Sequence, residues 1–179
     1  SVKVFHDHEP HPDQRLTTAG VLAVSSNTGS IKIGEMLSND KLYDYLTKFG
    51  IGTKTGSGLP GESRGILRKV ADWSGTTAPT VAFGQGYSLT AMQATSVFAT
   101  IANDGVRVSP TVIAGKSDSS GNYTPSATRE SVRVISADTA AKMRLMMESV
   151  VSSNGTAPSA AIPGYRVAGK TGTAQRIDD

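Results

Sequence analysis

The stretch that decides the fold is Tyr165-Arg166-Val167-Ala168-Gly169-Lys170-Thr171-Gly172-Thr173-Ala174-Gln175. Tyr165 and Val167 alternate with Arg166 and Ala168, the two-residue period of a strand, and the run leads directly into Lys-Thr-Gly-Thr. Such a segment offers an ammonium, two hydroxyls and backbone N–H groups beside a glycine with no side chain to cover them. Those are the parts needed to hold a carboxylate and to stabilise an oxyanion. Counted from Gly164 to Thr171, the same letters also spell the phosphate-loop pattern G-x-x-x-x-G-K-[ST]. That loop works only between a strand and a helix N-terminus, where backbone amides wrap the phosphates. Here residues 152–163 are rich in Ser, Ala, Asn, Gly and Pro and read as loop. The strand pattern falls between the two glycines, and Gly172 stands where a helix should begin. The context favours a carboxylate-holding strand over a nucleotide binder.

Composition narrows the function classes further. Across 179 residues, 37% hydrophobic and 18% charged side chains fit a globular chain with a sizeable core, one domain or part of one. A net charge of +3, with basic residues scattered and no aromatic-interleaved basic stripe, argues against nucleic acid as a partner. Apolar runs such as Val21 to Val24 are too short to cross a bilayer. With no cysteine, disulfides and thiolate zinc sites are excluded.

Residues 1–16 open with a possible strand over Val2, Val4 and Phe5. They continue into His6-Asp7-His8-Glu9-Pro10-His11, where Pro10 and Pro12 break any regular ligand spacing. A solvated loop is therefore expected there, and no metal. Thr17 to Val24 reads as a small-residue helix capped by Thr17 or Thr18. Ser25-Ser26-Asn27 after it is either a helix end or a catalytic loop, and from the residues alone the helix end leads. From Ser38 a helix is expected with Leu42, Tyr45, Leu46 and Phe49 on one face, stopped by Gly50.

Glycine-rich residues 50–65 read as loop. They contain a second Lys-Thr-Gly, Lys54 to Gly56, with no strand leading into it. Ser88 is expected to cap a helix over Leu89 to Ala102, closed by Asn103-Asp104-Gly105. Pro110 to Ala114 suggests a strand, residues 116–126 a polar loop, and Val132, Val134 and Ile135 another strand. Ser136 caps a helix whose face carries Ala140, Met143, Met147, Val150 and Val151. The order gives an α+β fold, an antiparallel sheet packed with helices.

Five segments together resemble the class B penicillin-binding proteins. Leu22 to Gly29 is similar to the family's Ser-x-Asn segment. Phe49 to Gly52, with Thr55-Gly56 and Leu59-Pro60-Gly61-Glu62, is similar to its glycine-rich loop. Phe83 to Gly86 with Thr90 and Gln93, then Ala102 to Val106, resembles the next helix and its stop, and Val167 to Gln175 resembles the Lys-Thr-Gly strand. With this resemblance Ser25 to Asn27 becomes a site loop.

The resemblance implies a penicillin-binding/serine β-lactamase-like fold, incomplete in this chain. Residues 1–179 would be a partial transpeptidase domain without its upstream Ser-x-x-Lys segment and its C-terminal strand and helix. The one Ser-x-x-Lys present, Ser38 to Lys41, follows Ser-x-Asn and looks like a helix cap. The resemblance further implies a peptidoglycan D,D-transpeptidase that works through an acyl-serine intermediate and is inhibited by β-lactams, with the nucleophile outside this chain and the chain alone inactive. Ser25 would relay a proton, Asn27 would orient the catalytic lysine, and Lys170 would keep the site electropositive. Thr171, Gly172 and Thr173 would bind the substrate carboxylate and supply an oxyanion N–H. Neither a cofactor nor a metal is implied. Partners would be D-Ala-D-Ala stem peptides, β-lactams and other cell-wall or divisome proteins. The location would be the extracytoplasmic face of the bacterial membrane, reached through an anchor elsewhere. A β-lactam sensor or other non-catalytic domain of the same fold is the alternative.

Overall fold

The computed structural model describes residues 3–127 and 129–173. Its elements run α1 (Thr18–Ala23), α2 (Asn27–Gly34), α3 (Asn39–Lys48), α4 (Thr77–Ala82), α5 (Ala91–Ala102), β1 (Val106–Val108), β2 (Gly115–Ser117), β3 (Tyr123–Pro125), β4 (Ser131–Arg133) and α6 (Ala137–Val151). Two short 3-10 turns, Val70–Asp72 and Pro158–Ala160, complete the regular structure. This is an α+β chain in two compact units. The first comprises Ser1–Tyr43, Arg68–Tyr87 and Ala141–Asp179, and the second Asp44–Leu67 and Ser88–Ala140.

In the first unit, α1 starts where expected, with the Thr17 hydroxyl accepting from the Gly20 N–H at 3.1 Å. Ser26 caps α2 by accepting from Gly29 N–H at 2.9 Å. That helix is absent from the sequence reading because Thr28-Gly29-Ser30 has little intrinsic helical preference. Packing supplies what propensity lacks. A Cβ on Gly29 would lie 2.7 Å from a Val21 methyl, and one on Gly34 would lie 2.8 Å from Ala82 Cβ, so the two glycines let α2 sit flush on α1 and α4. Val21, Ala23, Ile31, Val81, Met147, Val150 and Val151 form the buried apolar set of this unit. Phe5 meets Phe83 edge to face at 5.8 Å, but Lys3 to Asp7 pair with no strand, so the expected opening strand is not formed over the described residues.

The second unit is held largely by buried polar groups. Gln93 is 1% exposed. Its Nε2 donates to Gly50 O at 3.3 Å, Thr53 O at 2.8 Å and Arg64 O at 2.9 Å, while Oε1 accepts from Thr90 N–H at 2.8 Å. Thr90, not Ser88, caps α5, in a capping box closed by Gln93. Ser88 instead exchanges backbone bonds with Ile66 at 2.9 Å. The loop over 50–65 is thus irregular but tied down.

The strand expected over Pro110 to Ala114 is not formed. The ladders lie on either side of it, with β1 antiparallel to β4 (Val106 opposite Arg133) and β2 antiparallel to β3 (Lys116 opposite Thr124). Pro110 has no N–H to give a ladder. Residues 116–126, read as polar loop, are mostly this second hairpin. Its turn is built by Asp118, whose carboxylate accepts from the Ser120 and Asn122 N–H groups at 2.9 Å each.

Candidate active site

The site lies wholly in the first unit. Val24 ends α1, and the chain turns through Ser25 in the left-handed region, φ 56°. A non-glycine residue held there costs about 1–2 kcal/mol, and such strain collects at functional positions. The turn aims Ser25 Oγ at Lys170, whose Nζ donates to it at 2.6 Å. The same ammonium donates to Thr171 O at 3.0 Å and reaches Thr171 Oγ1 at 3.4 Å. Burial holds the Lys170 pKa below the usual lysine range. Lys170 is thereby easier to deprotonate than a surface lysine while remaining a donor to two hydroxyls.

Asn27 is the first residue of α2, and its Nδ2 donates to His6 O at 3.1 Å. Next to it, Asp7 is a feature that sequence reasoning left in a solvated loop. Its carboxylate accepts from Thr28 N–H and Ser26 Oγ, both at 2.8 Å, from Thr28 Oγ1 at 3.2 Å, and from His11 Nε2 at 2.8 Å. Its side chain is only 9% exposed. Burial alone would raise its pKa, but the Thr28 N–H, His11 and the two hydroxyls bring it down to about 2. A carboxylate at a helix N-terminus with four donors pins the loop from Ser26 to Thr28. The only cue in sequence was an acid among histidines, which pointed toward metals and not toward a cap 21 residues away. Among the described residues no group of three or more metal-ligating side chains is assembled.

The segment from Tyr165 to Lys170 forms no ladder among the described residues, so the expected strand is not one by pairing. Its polar groups turn instead to α6. Gly169 N–H donates to Met147 O at 3.2 Å, and Arg166 pairs with Glu148 at 2.7 Å. Thr171, Gly172 and Thr173 follow, exposed, with no helix over them. A phosphate loop would need that helix. Thr171 Oγ1 lies 2.8 Å from Thr156 Oγ1. Ala174 and Gln175, the end of the diagnostic stretch, lie outside the described residues.

All six expected site residues (Ser25, Asn27, Lys170, Thr171, Gly172, Thr173) are in this unit. Ser25 and Lys170 are in direct contact; Asn27 follows two residues after Ser25, with its Nδ2 committed to His6 O. The one Ser-x-x-Lys, Ser38 to Lys41, behaves as a cap: Ser38 Oγ accepts from Lys41 N–H at 3.2 Å.

The chain has clear relatives among known proteins. Residues 2–179 match the model of the penicillin binding protein transpeptidase domain. The chain is 42% identical to penicillin-binding protein PbpB of Mycobacterium tuberculosis over 97% of its own length and 26% of that protein's. It is 37% identical to peptidoglycan D,D-transpeptidase FtsI of Escherichia coli over 90% of its length and 26% of that protein's. It thus spans about a quarter of the length of these curated relatives. A crystal structure of penicillin binding protein 3 from Mycobacterium tuberculosis complexed with aztreonam superposes with a TM-score of 0.95 at 42% identity, covering 97% of this chain and 40% of that one. With a family model matching nearly the whole chain, and a relative 42% identical over 97% of its length, the chain belongs to the penicillin-binding protein transpeptidase family.

Proposed function

We propose that this chain forms two walls of the acyl-transfer site of a peptidoglycan D,D-transpeptidase that cross-links stem peptides and is inhibited by β-lactams. The observation that carries the reading is the 2.6 Å contact between Lys170 Nζ and Ser25 Oγ, beside the exposed hydroxyls of Thr171 and Thr173. The nucleophilic serine and its lysine base come from sequence outside these residues. In the first step the serine Oγ bonds to the penultimate D-Ala carbonyl carbon, and the C–N bond to the terminal D-Ala breaks. The serine proton passes through the base and Ser25 to the leaving amine. In the second step the acceptor amine attacks the ester, and the proton it loses returns to the serine oxygen. A hydroxyl that accepts and donates at once suits this relay.

Lys170, positive and partly buried, holds the substrate carboxylate and eases the Ser25 proton transfer. Asn27, with Nδ2 on His6 O, keeps Oδ1 as an acceptor for the catalytic ammonium. The Thr171 and Thr173 hydroxyls donate to the substrate carboxylate, Gly172 keeps the approach open, and Thr173 N–H serves as half of the oxyanion hole. β-Lactams acylate the same serine; support comes from a neighbour solved as a complex with aztreonam and another with ampicillin. No cofactor enters the chemistry. The working location is the extracytoplasmic face of the bacterial membrane, among cell-wall or divisome proteins and through an anchor outside these residues; among the described residues no helix is long and apolar enough to cross a membrane.

Labelled penicillin followed by mass measurement tests the reading on two samples: this chain, and one extended upstream to include a Ser-x-x-Lys segment. An adduct on the extended chain alone is expected. An adduct on the short chain would relocate the nucleophile, with Ser38 the first residue to check. No adduct on either would move a non-catalytic domain of this fold ahead.

A further inference from the structure

We propose that Thr156 is a positioning residue for carboxylate recognition: its hydroxyl donates to Thr171 Oγ1 and so turns the Thr171 proton outward, toward the substrate. This rests on the transpeptidase reading above. Thr156 follows α6 in a turn whose path is narrowly fixed. A Cβ on Gly155 would lie 2.2 Å from Val150 O and 2.4 Å from Ser149 O, so no side chain fits there. Thr156 N–H donates to Ala23 O at 3.0 Å, and Ala157 N–H donates to Val150 O at 2.9 Å. One residue therefore touches both walls, the end of α1 just before Ser25 through its backbone and Thr171 through its hydroxyl at 2.8 Å.

The direction of that hydroxyl pair decides what Thr171 can offer. A threonine hydroxyl has one proton and two lone pairs, and an ammonium only donates. With Lys170 Nζ at 3.4 Å and Thr156 at 2.8 Å both donating, the lone pairs of Thr171 are occupied and its proton is left for a carboxylate. With the pair reversed, Thr171 would spend its proton inside the wall and present lone pairs to an anion. A carboxylate is acceptor-only, so its binding selects the first arrangement, and Thr156 makes that arrangement available in advance.

The test uses the full-length protein and compares acylation rate constants for benzylpenicillin and its methyl ester, which lacks the anionic carboxylate. The acid-to-ester ratio is the readout, because both rates come from one sample and a partly unfolded preparation leaves the ratio unchanged. Thr156→Val is expected to lower the ratio roughly 5- to 10-fold, the loss of one hydrogen bond, while Thr156→Ser keeps the wild-type value. Thr171→Val lowers it as well, and adding Thr156→Val on top changes it little, the signature of two groups acting through one contact. An unchanged ratio in Thr156→Val, equal losses for acid and ester, or a wild-type protein indifferent to the carboxylate would overturn the proposal. A wild-type protein acylated by neither compound would instead overturn the transpeptidase reading on which it rests.

Discussion

The chain carries Lys-Thr-Gly twice, and the two copies have opposite fates. In Lys170-Thr171-Gly172 the lysine is partly buried and bonded to Ser25 Oγ, while the threonine and glycine are exposed. In Lys54-Thr55-Gly56 the lysine is exposed and the threonine is buried. Thr55 N–H donates to Glu62 Oε1 at 2.7 Å, the Thr55 hydroxyl donates to the same carboxylate, and Gly56 N–H donates to Oε2 at 3.2 Å. Glu62 thus occupies the second triplet as an internal ligand. The same three letters hold a carboxylate of the chain itself in one place, and in the other leave the threonine and glycine exposed.

Lys170→Ala should separate the copies most widely. In the full-length protein it is expected to slow acylation by labelled penicillin by about 100- to 1,000-fold, the scale of losing one preorganised electrostatic group, with Lys54→Ala close to wild type. Comparable losses from both would break the contrast. The next effect is on stability. Gln93→Leu strands the carbonyls of Gly50, Thr53 and Arg64 and the Thr90 N–H, and chemical denaturation should show a loss of about 3 kcal/mol.

Thr55→Val removes one hydroxyl from Glu62 and should cost about 1 kcal/mol by the same measurement, without altering acylation. A further effect lies in acid. Asp7, at about 2 in the fold, is depressed below its unfolded value of 3.8. Its contribution is therefore complete above pH 4 or so and is lost as pH falls toward about 2. Hydrogen bonds from Thr55 likewise hold Glu62 below the ordinary range, so its contribution also fades in acid. Asp7→Asn should flatten the acid limb of stability against pH; an unchanged limb would mean that Asp7 is not engaged with α2.

Much of this was legible in sequence where a local cause acts locally. Thr17, Ser38 and Ser136 cap the helices they precede, and Gly50 and Gly105 stop the helices before them at φ 93° and 81°. What was not legible depends on partners far along the chain. α2 exists because glycines fit it against Val21 and Ala82. β2 and β3 carry no apolar alternation, since apart from half-buried Gly115 they are exposed; their hairpin follows from the Asp118 turn. Lys170 and Ser25 could be named as site residues only through resemblance, because no spacing rule links positions 145 residues apart. Thr156 and Asp7 escaped for the same reason.

Ser25 sits in a backbone conformation that glycine adopts freely and serine does not. A directed-evolution campaign rewarding thermal tolerance alone would be drawn to Gly or Asn at that codon, and each such step would delete the hydroxyl that Lys170 grips. One that rewards turnover would keep the serine and seek its stability elsewhere. The codon for Ser25 is thus a place where selection for durability and selection for chemistry pull apart, and its occupancy in evolved populations would record which pressure prevailed.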